Sequence, residues 1–226
     1  MIEYRARVGL ALSAAVLAGT MTGVVAAAPA RAAGCVDVHV VAARGTNEPG
    51  GLWSQYKLGT VVGNPVYAAI DDRLSQSTNA YRVQYPAGYE QPASVQAGNR
   101  DLVDHVVARA AACPDQQFVL VGYSQGANVV DNSIGISSAG ARVGGPIVAT
   151  LPAELAPRIA AILLFGNPIR GVGREVTGVY ADRTYDVCND NDPVCDPRGK
   201  DWNVHMQYKR YADEAAAFVA ARVRPA

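Results

Sequence analysis

The sequence predicts an α/β fold, with a central, mostly parallel sheet flanked by helices. Three observations point there. Strand-like and helix-like segments alternate from about residue 36 onward, without internal repeats or low-complexity linkers, which is the rhythm of a chain that crosses back over a sheet after each strand. The apolar run Phe118-Val119-Leu120-Val121 leads at once into Gly122-Tyr123-Ser124-Gln125-Gly126 and the helix-like Ala127-Asn128-Val129-Val130. A glycine-rich loop, Arg44-Gly45-Thr46-Asn47-Glu48-Pro49-Gly50-Gly51, follows the first apolar strand, at the strand end where such folds build their sites. At 226 residues the chain is long enough for one well-buried domain and short for two.

Met1 to Ala32 reads as an export signal. Arg5 and Arg7 charge its start, Val8 to Ala28 is apolar, and Ala30-Arg31-Ala32 is a small-residue cleavage site. The folded domain then spans residues 33–226. The apolar stretch is long enough to span a bilayer, but it is rich in Ala, Gly and Thr rather than Leu and ends in the cleavage pattern, so no stable membrane insertion is expected after cleavage. Ala32-Ala33-Gly34-Cys35 resembles a lipid-attachment motif without its leucine. Lipidation of Cys35 would strand one of the four cysteines without a partner.

Val36 to Ala43 reads as the first buried strand, Pro65 to Leu74 as a helix and Tyr81 to Gln84 as a short strand. Val95 to Ala112 is a longer amphipathic helix with Leu102, Val103, Val106 and Val107 on its buried side. The strand and helix around Ser124 come next, then a Gly- and Pro-bearing stretch from Ser137 to Pro152. Ala153 to Arg158 is expected to be helical, Ile159 to Phe165 a strand, Gly166-Asn167-Pro168 a turn, Thr184 to Val187 a last short strand and Ala212 to Val223 the closing helix.

Cys35, Cys113, Cys188 and Cys195 make an even set in an exported chain, which points to disulfides. Of the three possible pairings, spacing favours Cys188 with Cys195 around a short loop. That leaves Cys35 to tie the first strand to Cys113 at the end of a helix. In the chain-entropy model the long bridge contributes about 4–5 kcal/mol and the short one about 2–3 kcal/mol. The short bridge is therefore expected to position its loop more than to stabilise the domain. Charge identifies no partner: the full chain carries 20 basic and 20 acidic residues, and residues 33–226 carry 17 and 19. No basic stripe suggests nucleic acid, and no Lys/Arg cluster suggests an anionic membrane surface.

A Gly-x-Ser-x-Gly between a strand and a helix is the pattern of a nucleophile elbow. The sharp turn holds Ser124 in a strained conformation with its oxygen above the sheet, and glycines on both sides let the turn close. The helix that follows points backbone N–H groups at the same spot, where they stabilise an oxyanion. A serine hydroxyl also needs an imidazole to take its proton and a carboxylate to orient that imidazole. Only His39, His105 and His205 exist. The chain order serine, acid, histidine selects His205, while His39 inside a strand and His105 mid-helix read as structural. The acid is sought in Cys188-Asn189-Asp190-Asn191-Asp192-Pro193-Val194-Cys195. Asp192, followed by proline and enclosed by the cysteine pair, is preferred; Asp190 competes, and spacing alone does not separate them. Asp186, Asp196 and Asp201 lie outside the clamp. The oxyanion hole is expected to combine the backbone N–H of Gln125 with a donor from the loop after the first strand, where Thr46 is the natural candidate.

Taken together these residues resemble the cutinase family, and more narrowly its secreted actinobacterial esterases. The resemblance spans about Cys35 to Phe218 and rests on Ala43-Arg44-Gly45-Thr46-Asn47-Glu48, Gly122 to Gly126, Leu164-Phe165-Gly166-Asn167-Pro168, and Cys188-x-x-x-Asp192-x-x-Cys195 with His205 ten residues on. It implies a small α/β-hydrolase without a large lid, with Ser124 as nucleophile, His205 as base and Asp192 rather than Asp190 as orienting acid. It likewise implies Thr46 and Gln125 as the oxyanion hole, and the pairs Cys35–Cys113 and Cys188–Cys195. The substrate rim falls on Tyr85 and Tyr89 and on Trp202, Val204 and Met206. Cutinases carry large apolar side chains there, whereas the approach Arg198-Gly199-Lys200-Asp201-Trp202-Asn203-Val204 is mostly polar, which favours short or medium acyl esters over polymers and long-chain lipids.

The expected protein is thus a secreted, monomeric serine esterase acting on a small-molecule or lipid ester, with no metal or organic cofactor called for. A phospholipase A, a thioesterase or a carbohydrate acetyl esterase shares the same acyl chemistry. Outside the hydrolases, the alternative is a secreted binding or antigenic protein with a vestigial site.

Overall fold

Three predominantly apolar segments and two more polar ones become five parallel strands. In the computed structural model, which describes Met1 and residues 34–225, β1 (Val38–Ala43), β2 (Thr78–Arg82), β3 (Gln117–Tyr123), β4 (Ile159–Phe165) and β5 (Thr184–Val187) form one sheet in the order β2-β1-β3-β4-β5. The expected export signal lies, apart from Met1, outside the described residues. Every residue of β1, β3 and β4 is buried, as parallel strands covered on both faces must be. The edge strands β2 and β5 are half-buried throughout.

Side chains alternate between two cores. Val41, Ala43, Phe118, Leu120, Ile162 and Leu164 face α2 (Ala93–Ala112) and α3 (Gln125–Ser133). Val38, Val40, Ala42, Val119, Val121, Leu163 and Phe165 face α1 (Gly63–Arg73) and α5 (Ala212–Ala220). The register of β3 on β4 steps from Phe118↔Ile159 to Val119↔Ala161. That extra residue, Ala160, puts Ile159 and Ile162 in the same core although they are three apart.

Several boundaries differ from expectation. Strand β2 starts at Thr78, because its register on β1 runs from Val38↔Thr78 to Ala42↔Arg82. The helix expected from Val95 begins two residues earlier, directly behind Pro92. Its inward line is Val95, Asn99, Leu102, Val103, Val106 and Ala110, which leaves Val107 on the solvent side, 38% exposed. Ala153–Arg158 winds as a 3-10 helix; Pro157 has no N–H to continue an α-helical ladder there. Both disulfides form, Cys35–Cys113 and Cys188–Cys195, with Cα separations of 5.7 and 5.8 Å.

The strand order decides where a site can lie. Strand β1 has β2 on one side and β3 on the other, so the chain reverses direction across the sheet at β1. The crevice opens outside the carboxyl ends of β1 and β3. Ala43 and Gly122 are paired there, which brings the loop of Thr46 beside Ser124.

The two remaining histidines meet between β1 and α2. His39 Nε2 lies 2.8 Å from His105 Nε2, and His39 Nδ1 lies 2.5 Å from Asn79 Oδ1. Tyr81 stacks on the His105 ring at 3.5 Å. Burial lowers both imidazoles to about 4: on His39 it outweighs the bond to Asn79, and on His105 the neighbouring His39 adds to it. A lowered folded pKa means that the unfolded chain takes up protons first. The pair therefore supports the fold fully above about pH 6.5, and this support is lost as the pH falls toward 4. The urea midpoint should fall between pH 7 and pH 5, and the fall should shrink in the double variant His39→Gln/His105→Gln. An equal fall in both proteins would show that the pair is not responsible.

Candidate active site

The elbow is strained as its sequence requires. Ser124 sits at φ 54° and ψ −117°, between the end of β3 and the start of α3. Its N–H donates to Phe165 O at 2.9 Å, and its own carbonyl accepts from Ala127 N–H at 2.9 Å. A Cβ on Gly122 would lie 2.6 Å from Ala127 Cα, and one on Gly126 only 1.9 Å from Ala43 O. Both flanking glycines are therefore steric necessities of the turn.

His205 ends a single helical turn, α4 (Trp202–His205), that Asp201 caps by accepting from Asn203 N–H. Its Nε2 stands 3.0 Å from Ser124 Oγ, and its Nδ1 stands 2.7 Å from Asp192 Oδ2. Asp192 is fully buried. Its Oδ2 also accepts from Tyr208 O–H, and its Oδ1 accepts from Val194 N–H at 2.8 Å. Burial alone would raise this carboxyl, but the bonds from His205 and Tyr208, the His205 charge and the Val194 N–H together hold it below the usual carboxylate range. Asp190 lies exposed on the same loop, and the geometry separates the two acids that spacing left open. An imidazole held in this way can accept a proton from the serine hydroxyl and return it to a leaving group.

Three positioning features have no signal in the local sequence. Tyr208 accepts from Asn189 N–H at 3.0 Å while donating to Asp192, so it ties the acid to the start of its own loop. Gly166, at φ 56°, makes room for the His205 ring: a Cβ there would lie 2.9 Å from His205 Cε1. Tyr123, the variable residue before the serine, donates to His205 O at 2.8 Å.

On the other side of Ser124, Gln125 and Thr46 come together. Gln125 Nε2 donates to Thr46 Oγ1 at 2.9 Å and to Gly88 O at 2.8 Å, while Ser94 Oγ donates to Gln125 Oε1 at 2.7 Å. Because the Thr46 oxygen accepts from the amide, its own hydrogen is free to point elsewhere. Among the described residues no protein acceptor takes the Thr46 N–H, and the Gln125 N–H opens α3, where no preceding turn can take it. Glu48 holds this loop from behind. Its buried carboxylate accepts from Gly45 N–H at 2.8 Å and Val61 N–H at 2.6 Å. Burial raises its pKa despite these bonds.

A family model for cutinases matches residues 34–223. The chain belongs to the cutinase family. It is 37% identical over 216 residues to phospholipase Culp4 of Mycobacterium tuberculosis, covering 94% of this chain and 90% of the relative. It is 40% identical over 202 residues to a cutinase of Kineococcus radiotolerans, covering 86% of this chain and 64% of that relative's length. Among solved structures, a Trichoderma reesei cutinase in complex with a phosphonate inhibitor matches with a TM-score of 0.66 at 30% identity, over 84% of this chain and 78% of that one. The chain is a carboxylic ester hydrolase of the serine type.

Ser124 and His205 open onto a cleft of about 380 Å³ whose walls include Tyr89, Val143, Val194, Trp202 and Met206. Two expected rim residues are not there. Tyr85 is buried beneath the loop of Thr46, with its hydroxyl on Arg44 O. Val204 is half-buried within α4, where its carbonyl accepts from Asn189 Nδ2 at 2.6 Å. The expected polar rim is also corrected: Arg198 to Asp201 stay out of the cleft lining, and the apolar Pro49, Val143 and Val194 enter it from other segments. Among the described residues no group of three His, Cys, Asp or Glu side chains is arranged to hold a metal ion.

Replacing Tyr208 by Phe removes one donor from the Asp192 carboxylate, which raises the basicity of the Asp192–His205 pair. The acid limb of the pH profile of kcat/KM should move to higher pH, and the lost bond to a charged group is worth about 1.5–3 kcal/mol. An acid limb at the wild-type position would remove Tyr208 from the account. The short bridge offers a separate test. In the double variant Cys188→Ser/Cys195→Ser, activity should fall by a larger factor at 25 °C than the shift in thermal midpoint explains, because the loop carrying Asp192 loosens first. Loss of activity only in step with unfolding would contradict a positioning role.

Proposed function

We propose that this chain is an exported serine esterase that hydrolyses carboxylic esters of short to medium acyl chains through an acyl-enzyme on Ser124. One observation carries the reading: the unbroken line of hydrogen bonds from Asp192 through His205 to Ser124, at 2.7 and 3.0 Å, ending in an open cleft. His205 takes the hydroxyl proton as Ser124 Oγ attacks the ester carbonyl, and the imidazolium that forms is stabilised by Asp192. The tetrahedral oxyanion receives the N–H groups of Gln125 and Thr46, with the Thr46 hydroxyl as a third donor. Collapse expels the alcohol, which His205 protonates through Nε2. Water then enters, loses a proton to His205 and releases the acid by the same steps. Each oxyanion donor is worth about 3–4 kcal/mol of barrier.

The cleft volume of about 380 Å³ lies at the small end of the range of ligand pockets, about 300–1,000 Å³, which favours short or medium acyl groups. A phospholipase A reading uses the same steps on a lipid ester. It is favoured by the exposed Tyr89, Trp202 and Met206 at the cleft and by the phospholipase among the relatives. Export is supported by the signal-like segment at residues 1–32 and by two disulfides.

Purified protein should hydrolyse 4-nitrophenyl esters, with kcat/KM highest between acetate and octanoate and lower at palmitate. Ser124→Ala should reduce kcat by about 10⁴-fold or more. Equal inertness of both proteins across the whole series would instead favour a vestigial binding protein.

A further inference from the structure

We propose that Arg142 makes this site selective for esters that carry an anionic group near the scissile bond, an inference that rests on Ser124 being the esterase nucleophile. Arg142 lines the same cleft as Ser124 and His205. It is exposed, its guanidinium lies 5.4 Å over the Trp202 ring, and among the described residues no carboxylate pairs with it. The ionisable side chains of Glu48 and His205 in the same lining are committed elsewhere. Glu48 is buried on the N–H groups of Gly45 and Val61, and His205 is held by Asp192. The unspent charge facing a substrate is therefore positive.

The loop that presents Arg142 is fastened to the helix of the elbow. Asn128, in α3, donates through Nδ2 to Arg142 O at 2.9 Å, and Asn132 donates to Gly145 O at 3.1 Å while accepting from Ser138 N–H at 2.8 Å. Ser138 Oγ accepts from Gly145 N–H, and Gly144 N–H bonds Ala141 O, at 3.1 Å each. The next residue, Val143, is β-branched yet sits at φ 47°. Such a residue leaves its preferred backbone region only where the surroundings enforce it, and such enforced outliers gather at functional sites. A guanidinium held over an aromatic face keeps its planar fork of donors, which matches a carboxylate or phosphate.

Two sources of the anion are possible, and paired substrates separate them. A carboxylate on the acyl chain is tested with mono-4-nitrophenyl adipate against 4-nitrophenyl hexanoate. A phosphate on the alcohol is tested with 1-butyrylglycerol 3-phosphate against 1-butyrylglycerol. In at least one pair, the ratio of kcat/KM for the anionic over the neutral ester should fall about tenfold in Arg142→Gln, as loss of one charge-assisted bond predicts. The fall should come through KM rather than kcat, and Arg142→Lys should recover part of it. Unchanged ratios in both pairs, with neutral esters still hydrolysed by the wild type, would overturn this inference alone. Inertness of the wild type on all four substrates would overturn the esterase reading and this inference with it.

Discussion

The architecture depends on one close approach, where α3 lies against the end of β1. Gly126 stands where any side chain would collide with the carbonyl of Ala43, so the helix descends onto the sheet and the side-chain amide of Gln125 reaches Thr46. The same approach forces the elbow. Ser124 occupies a left-handed conformation that costs about 1–3 kcal/mol for a residue with a side chain, and it is held there by bonds to Phe165 and Ala127. The buried strands β1, β3 and β4 supply the packing that offsets this cost. Strain at the serine and rigidity of the sheet centre are therefore one feature.

A second constraint works from the opposite side. A buried carboxylate is tolerable only when its lone pairs are occupied, and Asp192 receives His205, Tyr208 and Val194. Two of these donors come from the stretch that closes the fold and one from its own disulfide-clamped loop, so satisfying the acid also places the base. Gly166, just past the end of β4, and Tyr123, the last residue of β3, then set the space for the imidazole ring and the position of its backbone. The site is pre-organised because the same bonds that stabilise its charges also determine its geometry.

Much of this was legible in the sequence where local chemistry decides. Ile159–Phe165 and Thr184–Val187 are strands at the expected bounds, the first because an apolar run between turn residues has little alternative. Ser124 and His205 stood out because a strained elbow demands glycines and chain order leaves one histidine, whereas spacing alone left Asp192 and Asp190 open. What could not be read depends on juxtaposition. Tyr208, Glu48 and Arg142 are ordinary residues whose roles arise from neighbours 16, 13 and 14 positions away. Tyr85 looked like part of a rim because it is aromatic and near Tyr89, yet its buried position under the loop of Thr46 turns it inward. Val107 followed the apolar count of its helix, but the inward line had already passed at Val106 and Ala110.

We propose that the fold makes one hydroxyl, that of Ser124, nucleophilic. The most direct test is reaction with diethyl 4-nitrophenyl phosphate, in which the serine oxygen displaces 4-nitrophenolate and keeps the diethylphosphoryl group. Intact-mass and peptide mapping should find one phosphoryl group per chain, on Ser124, with release of one equivalent of 4-nitrophenolate. An unmodified chain, or a label on any other residue, would contradict the account.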